Sequence, residues 1–331
     1  MEIDSVREIK DKYYSSLRFS IEREVMSSPQ YGVRASPAGL VARVAPTISL
    51  GVGHDPNGHH LSVRVQHRAF LTGSTVEKLK RLAKGEIAVK YIGRVHALAA
   101  PSMLQEHCSP LLLGCSVSYV GGTSGSLGCF VRDAAGVVSI LSNNHVIGRE
   151  NQGNVGDNIL QPGPYFGGRD PQSAIATLQK CVRIDSSQNL MDAAIANVMP
   201  GVQLDASTIG GGVNLSGKTV MPSAMFVVKV GAVTGLRRGT ITASEHSGIV
   251  VNYASLGDCL FDNVIEISGD GTGPFGTEGD SGSLVVDDRG DAVGLLFAGS
   301  DQGEGVSYAN PIDPILGTLG VSIYTSSPAS P

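Results

Sequence analysis

The residues Glu278-Gly279-Asp280-Ser281-Gly282-Ser283 lead straight into the apolar run Leu284-Val285-Val286. A glycine-flanked serine placed ahead of a strand is the pattern that holds a hydroxyl on a tight turn. A serine hydroxyl is a weak nucleophile at its own pKa, so it needs a base within hydrogen-bond reach and a third group to orient that base. The chain should therefore carry a matching histidine and a matching acid. His145 closes the run Ser139-Ile140-Leu141-Ser142-Asn143-Asn144-His145-Val146, which reads as a strand leading into a turn at Gly148. Asp192 is a lone acid in Asn189-Leu190-Met191-Asp192-Ala193-Ala194-Ile195-Ala196. Buried there without a partner it would be costly, and an imidazole would supply one. Asp185 is the fallback acid.

The order along the chain is His145, Asp192, Ser281, and a further stretch, Val230-Gly231-Ala232-Val233-Thr234-Gly235-Leu236-Arg237-Arg238-Gly239, lies between the last two. Together these segments resemble the chymotrypsin/trypsin-like serine peptidases, and within them a bacterial intracellular branch, over about residues 110 to 320. The resemblance implies a mainly β fold of two six-stranded antiparallel β-barrels, with His145 and Asp192 from the first and Ser281 from the second. It implies that His145 takes the proton of Ser281 during attack on a peptide carbonyl and delivers it to the leaving amine, while Asp192 fixes the imidazole tautomer. The oxyanion would be held by the N–H groups of Gly279 and Ser281. Asp280 is expected to point away as a structural carboxylate. Leu296-Phe297-Ala298-Gly299-Ser300 resembles the strand that pairs with substrate backbone, giving Phe297, Ala298 and Gly299 as substrate-binding residues, with Phe275 near the base of the primary pocket. No acid stands at that base, so a strict preference for Lys or Arg is not expected.

The remaining elements must position these residues. Forty-three glycines, no tryptophan and 17 % charged residues in 331 suit many short strands joined by tight turns. The divisions expected are an amphipathic helix within 1–30, a small α/β extension over 31–105, a first barrel over 106–215 and a second over 216–325. Val6, Ile9, Tyr13, Leu17, Ile21 and Val25 recur at helical spacing across residues 5–26, with Ser5 and Glu8 as a capping box. In the extension, Thr47–Gly53 and Leu61–Gln66 read as a hairpin whose turn-rich connection holds His54, His59 and His60 as a solvated loop. Thr75–Ala83 reads as a helix and Ile87–Ile92 as a strand. Residues 97–110 read as a linker, and the glycine-bearing residues 149–180 as surface loops. In the second barrel, strands are expected over Phe226–Thr242 as a hairpin, Ile249–Tyr253, Asn263–Ile267 and a closing hairpin from Ser283 to Phe297.

The five cysteines, Cys108, Cys115, Cys129, Cys181 and Cys259, are scattered without metal-ligand or framework spacing, so no disulfides, metal or cofactor are expected. The N-terminus has neither the basic start nor the apolar stretch of a secretion signal, and a cytoplasmic location without membrane contact is expected. Residues 1–100 hold 15 Lys and Arg against 9 Asp and Glu, and the remainder 10 against 21. The dispersed basic residues suggest that the N-terminal unit docks on its own acidic partner domain rather than on nucleic acid. The function expected is a serine endopeptidase acting on protein or peptide substrates, regulated by its N-terminal region or by an activating protein partner. The alternative is a catalytically blocked fold of this type that serves as a peptide-binding or scaffold protein.

Overall fold

The computed structural model describes residues 1–14, 48–55, 58–66, 70–92, 95–96, 103–209, 213–271, 273–300 and 305–325. In the N-terminal part these are helix α1 (residues 3–14), strands β1 (Ile48–Asp55) and β2 (Gly58–Val65), helix α2 (Ser74–Leu82), β3 (Ile87–Tyr91) and β4 (Val95–His96). A first sheet follows with β5 (Ser116–Tyr119), β6 (Gly125–Ser126), β7 (Cys129–Asp133), β8 (Val138–Ser142), the single-turn α3 (Asn144–Ile147), β9 (Asn158–Leu160), β10 (Ala174–Cys181) and β11 (Ala194–Val198). A two-stranded ribbon, β12 (Thr208–Ile209) with β13 (Val213–Asn214), leads to β14 (Phe226–Gly231), β15 (Gly235–Ser247), β16 (Ile249–Tyr253), β17 (Gly257–Phe261), β18 (Val264–Gly269), β19 (Leu284–Asp287), β20 (Ala292–Ser300) and β21 (Val306–Pro311). Helix α4 (Ile312–Leu319) and β22 (Val321–Ile323) end the described chain.

Six of these strands close on themselves. The antiparallel ladders run β14 to β15, β15 to β18, β18 to β21, β21 to β20, β20 to β19 and β19 back to β14. Closure removes the free edges that an open sheet would expose. The interior is apolar, with Val227, Ile241, Ile265, Ile267, Phe275, Val285, Val293 and Ala309 buried together. Each of the valines, isoleucines and the phenylalanine contributes about 1.5–3 kcal/mol on full burial. The turn from β19 to β20 is written locally: the Asp287 carboxylate accepts the N–H groups of Arg289 and Asp291, and Gly290 takes φ +79°. A Cβ at Gly290 would lie 1.9 Å from the Asn214 carbonyl oxygen, so only glycine fits.

The first sheet has the order β22-β7-β8-β11-β10-β9-β5-β6. It curls around the core formed by Phe130, Ile140, Leu141, Ile159, Ile175, Leu178 and Ile195, but no ladder among the described residues joins its ends. It is a half-barrel rather than the closed six-stranded barrel expected. Its far strand, β22, comes from the C-terminus of the chain and pairs with β7. Residues 149–180 are not all surface loop, since they hold β9 and most of β10, whose Ile159, Leu160, Ile175, Ala176 and Leu178 are buried. The glycines at 153, 156, 163, 167 and 168 lie in the turns on either side of the three-residue β9, all before β10.

The N-terminal unit is continuous with the closed barrel. β1 pairs antiparallel with β15, β2 with β1, and β3 runs parallel to β2, so one sheet extends outward from the barrel wall. Helix α1 lays Val6 on this sheet, with Ile3, Ile9 and Tyr13 beside it. The helix begins two residues before Ser5, which therefore lies inside its first turn and is not its cap. Leu17, Ile21 and Val25 lie outside the described residues. His54 is on β1 and His59 and His60 on β2, because the strands run to Asp55 and from Gly58. They are ladder residues, not a solvated loop, and His54 contacts the Ser244 hydroxyl at 3.1 Å. Burial, then the neighbouring His59 and His60, lowers the His54 pKa to about 4.

Opposite charges meet across this junction as the charge distribution suggests. Arg7 and Lys10 of α1 reach Glu245, and Arg64 of β2 pairs with Glu266 of β18 at 2.5 Å with both side chains buried. Burial alone would raise the Glu266 carboxyl, but Arg64 outweighs it and holds it at about 2. Among the described residues no helix is long and apolar enough to cross a membrane. Glu266→Ala leaves the Arg64 charge buried and unpaired, and is expected to lower stability by about 3–5 kcal/mol, whereas a joint Arg64→Met, Glu266→Leu replacement recovers most of that loss but stays below wild type, because the Tyr308 and Thr242 hydroxyls lose their acceptor. Urea unfolding at neutral pH checks this. Because the folded carboxyl lies below its ordinary 4.5, the contribution of Glu266 is complete above that pH and is lost as the pH falls toward 2.

Candidate active site

His145 and Asp192 are joined where the two sheets meet, and the turn carrying Ser281 faces the residue after His145 across the gap at Gly125. His145 stands on α3, the single turn that follows β8, Asp192 lies just before β11, and Ser281 lies just before β19. The Asp192 carboxylate has no exposed surface. Its Oδ1 accepts the backbone N–H of His145 at 3.2 Å, and its Oδ2 lies 2.5 Å from the imidazole Nδ1. Oδ2 also accepts the phenol O–H of Tyr253 at 2.8 Å. The backbone of Asp192 is clasped too, its N–H donating to Asn310 Oδ1 at 2.9 Å and its carbonyl accepting Asn143 Nδ2 at 2.7 Å. Both asparagines are fully buried.

Asp185 plays no such part. It is exposed and accepts the N–H and hydroxyl of Ser187 within its own turn.

The nucleophile turn is stitched to the first sheet. Ser126 of β6 donates its N–H to the Ser281 carbonyl at 2.7 Å and its hydroxyl to the Gly279 carbonyl at 2.8 Å. A Cβ at Gly125 would lie 2.4 Å from Val146 and 2.9 Å from the Ser281 carbonyl oxygen, so the turn and the residue after His145 flank one narrow gap. Gly279 has φ +89°, a region that glycine occupies freely. Among the described residues the N–H groups of Gly279 and Ser281 have no protein acceptor. Two unpaired donors beside a serine hydroxyl form a place for a developing negative charge.

The hydroxyl of Ser281 donates to the Phe297 carbonyl at 3.4 Å. No hydrogen bond joins it to the imidazole among the described residues, so the structure assembles the histidine–carboxylate pair and leaves the serine hydroxyl unbonded to it. Ser281 is 5 % exposed.

Asp280 faces the other way. Its Oδ1 accepts the N–H groups of Val233 and Thr234 at 3.0 and 3.1 Å, while its Oδ2 meets Lys229 Nζ at 2.7 Å, Thr234 Oγ1 at 2.7 Å and the Thr277 N–H at 3.0 Å. The stretch Val230–Gly239 is thus the cradle for this carboxylate. A Cβ on Gly231 would lie 2.3 Å from Asp280 Oδ1, which explains the glycine. Burial raises the carboxyl, but Lys229 together with Thr234 and the Thr277 N–H holds it below the ordinary range.

The residues expected to meet substrate are mostly covered. Phe275 is fully buried in the closed barrel with Val227 and Ile241. Phe297 is fully buried against Phe261, ring centroids 4.8 Å apart. Ala298 and Gly299 pair with Tyr308 and Ser307 of β21 on one side. On the other side of β20, Gly299 and Ser300 pair antiparallel with His96 and Val95 of β4, which runs parallel to β16 on its far edge. Sequence reasoning did not find Tyr253, Ser126, Asn310 or Lys229. Only Lys229 carried a signal, as a lone charge in the apolar strand Phe226-Val227-Val228-Lys229-Val230.

A closed six-stranded barrel beside a curled half-barrel, with the histidine, acid and serine at their junction, is a mainly β fold of the chymotrypsin type. Neither a protein-family model nor a curated protein matches the sequence. Solved structures similar to it are serine proteases. Thermobifida fusca Protease A is 18 % identical, with a TM-score of 0.47 over 65 % of this chain and 98 % of that one. Cellulomonas bogoriensis chymotrypsin is 22 % identical and Nocardiopsis protease 20 %, each with the same TM-score and coverage.

Lys229→Met leaves the Asp280 charge buried against three N–H groups and a hydroxyl, and is expected to lower stability by about 3–5 kcal/mol in urea unfolding at neutral pH. Because the Asp280 carboxyl lies below its ordinary 3.8 in the folded chain, its contribution is present above that pH and fades as the pH falls below it. The difference between wild type and Lys229→Met should shrink over the same acid range.

Proposed function

We propose that this chain is a serine endopeptidase working through an acyl-enzyme, with Ser281 as nucleophile, His145 as general base and then acid, and Asp192 as the group that orients and charges against the imidazole. The observation that carries this reading is the wholly buried Asp192 carboxylate on the imidazole Nδ1, which turns Nε2 outward as the acceptor. The unpaired N–H groups of Gly279 and Ser281 supply the oxyanion site. Hydrogen bonds to the nucleophile commonly form only in the substrate complex, so the present Ser281 contact to Phe297 is compatible with this role. No cofactor enters the scheme. We place the activity in a reducing cytoplasm on the five free cysteines.

The N-terminal region restrains the enzyme in this proposal. If β20 pairs with substrate backbone, as the resemblance implies, its edge at Gly299 and Ser300 is already taken by β4. The Ser300 hydroxyl also donates to the Ile92 carbonyl, and Ile92 is buried beside Tyr253, Phe261 and Phe297. Displacement of β4, by substrate or by an activating protein, would free the edge. A blocked peptide-binding protein is the weaker reading, because a site without chemistry has no need of the buried Asp192 pair.

A fluorophosphonate probe tests the proposal. Label located at Ser281 by mass spectrometry, and lost in Ser281→Ala and in His145→Ala, is the expected result, since members of such a set act as a unit. His96→Pro removes a backbone donor from β4 and should speed both labelling and cleavage of an unfolded protein substrate. A folded protein that takes no label either as wild type or as His96→Pro overturns the peptidase reading. Equal rates in the two forms overturn the restraint.

A further inference from the structure

Tyr253 lies at the end of β16, in the closed-barrel half of the molecule, yet its hydroxyl reaches the carboxylate that belongs to the histidine half. It is 2 % exposed, and its O–H donates to Asp192 Oδ2 at 2.8 Å, the same oxygen that holds the imidazole Nδ1 at 2.5 Å. Its ring meets the His145 ring edge-on, centroids 5.7 Å apart. Burial, and then the charge of Asp192, pushes the phenol well above its ordinary value, so the group stays protonated and donates to the carboxylate. A buried carboxylate oxygen with two donors has its direction fixed by both.

The residues that follow Tyr253 are held by the histidine half in return. Glu150, just after α3, accepts the N–H of Ala254 at 3.2 Å and that of Ser255 at 2.6 Å, and also takes the Ser255 hydroxyl. Arg149, Glu150 and Asn151 are all in the left-handed region, at φ 55°, 50° and 71°. Three consecutive non-glycine residues there carry strain that the surrounding contacts must over-determine. Asn151 is tied down through Asn144 and through the backbone of Ile184. The turn carrying Glu150 therefore serves to grip the end of β16, and β16 delivers the phenol.

We propose that Tyr253 is a positioning residue of the Ser281 site: its hydroxyl fixes the Asp192 carboxylate so that the His145 imidazole is held in one orientation toward Ser281. This rests on the peptidase reading for its catalytic consequence, though not for its geometry. Tyr253 acts through Asp192 and touches no reacting atom. In Tyr253→Phe the ring contacts with His145 and Phe261 remain, and only the donor is lost.

The test is made on the full chain and has two arms. In the first, the low-field proton NMR resonance of the His145 Nδ1–H is compared in wild type, Tyr253→Phe and Ile249→Val, the last being a core change on the same strand. The resonance should move in Tyr253→Phe and stay in Ile249→Val. In the second arm, kcat for peptide cleavage should fall by about 10–100-fold in Tyr253→Phe with KM nearly unchanged, the scale of loss that slight misplacement of a catalytic group produces. An unmoved resonance in Tyr253→Phe overturns the proposal. If neither wild type nor His96→Pro labels or cleaves, the peptidase reading fails, and the resonance alone then decides the role of Tyr253.

Discussion

A carboxylate cannot be removed from water without donors to replace it, and Asp192 has been removed completely. Its two oxygens are satisfied by the His145 N–H, the imidazole and the Tyr253 phenol, and its backbone by Asn143 and Asn310. These partners come from the strand-to-helix corner of the first sheet, from β16 and from the end of β21. No one sheet could supply them all. The two halves must therefore meet at one relative position, and that position is the one at which the imidazole is oriented.

A second buried carboxylate does the same for the nucleophile. Asp280 gathers Lys229, Thr234, Val233 and Thr277 from two segments of the closed barrel, and so sets the course of the backbone through Gly279 and Ser281. Ser126 then ties that turn across to the first sheet. The glycines at 231 and 279 answer to different demands. Gly231 has no room for a side chain beside Asp280, whereas Gly279 sits at a positive φ that leaves two N–H groups unpaired next to the hydroxyl. The site is thus a pair of charge-anchored turns facing each other over the joint between sheets.

The N-terminal unit is built into this frame rather than hung from it. β1 extends the barrel wall by pairing with β15, and Arg64 of β2 reaches Glu266 of β18 across these two strands. β4, four residues beyond β3, is paired between β20 and β16 and so lies on the edge proposed for substrate. The basic excess of residues 1–100 and the acidic excess of the rest find their use in this junction, through Arg7, Lys10 and Arg64.

Much of this was legible in the sequence where the physics is local. The turn chemistry around Ser281, the strand-to-turn pattern at His145, the lone acid at Asp192 and the hairpins of the second barrel all lie within windows of a few residues, and periodicity and glycine placement determine them. Strand β9 was not legible, because a three-residue buried run between glycines reads as loop until a sheet covers it, and β10, whose burial alternates only in part, was absorbed into the same stretch. Nor were Tyr253, Ser126 and Asn310. A tyrosine, a serine and an asparagine acquire a role only from the carboxylate or backbone group that tertiary packing sets against them, and those partners lie between 61 and 153 residues away in the chain. The same holds for β4, two residues with no pattern of their own whose place is decided by the edges on either side. The sequence by itself determined which groups could do chemistry and on what turns they stand. The tertiary structure decided which of them are buried, and hence which partners they must have, because desolvation is a property of the packed whole and not of any segment.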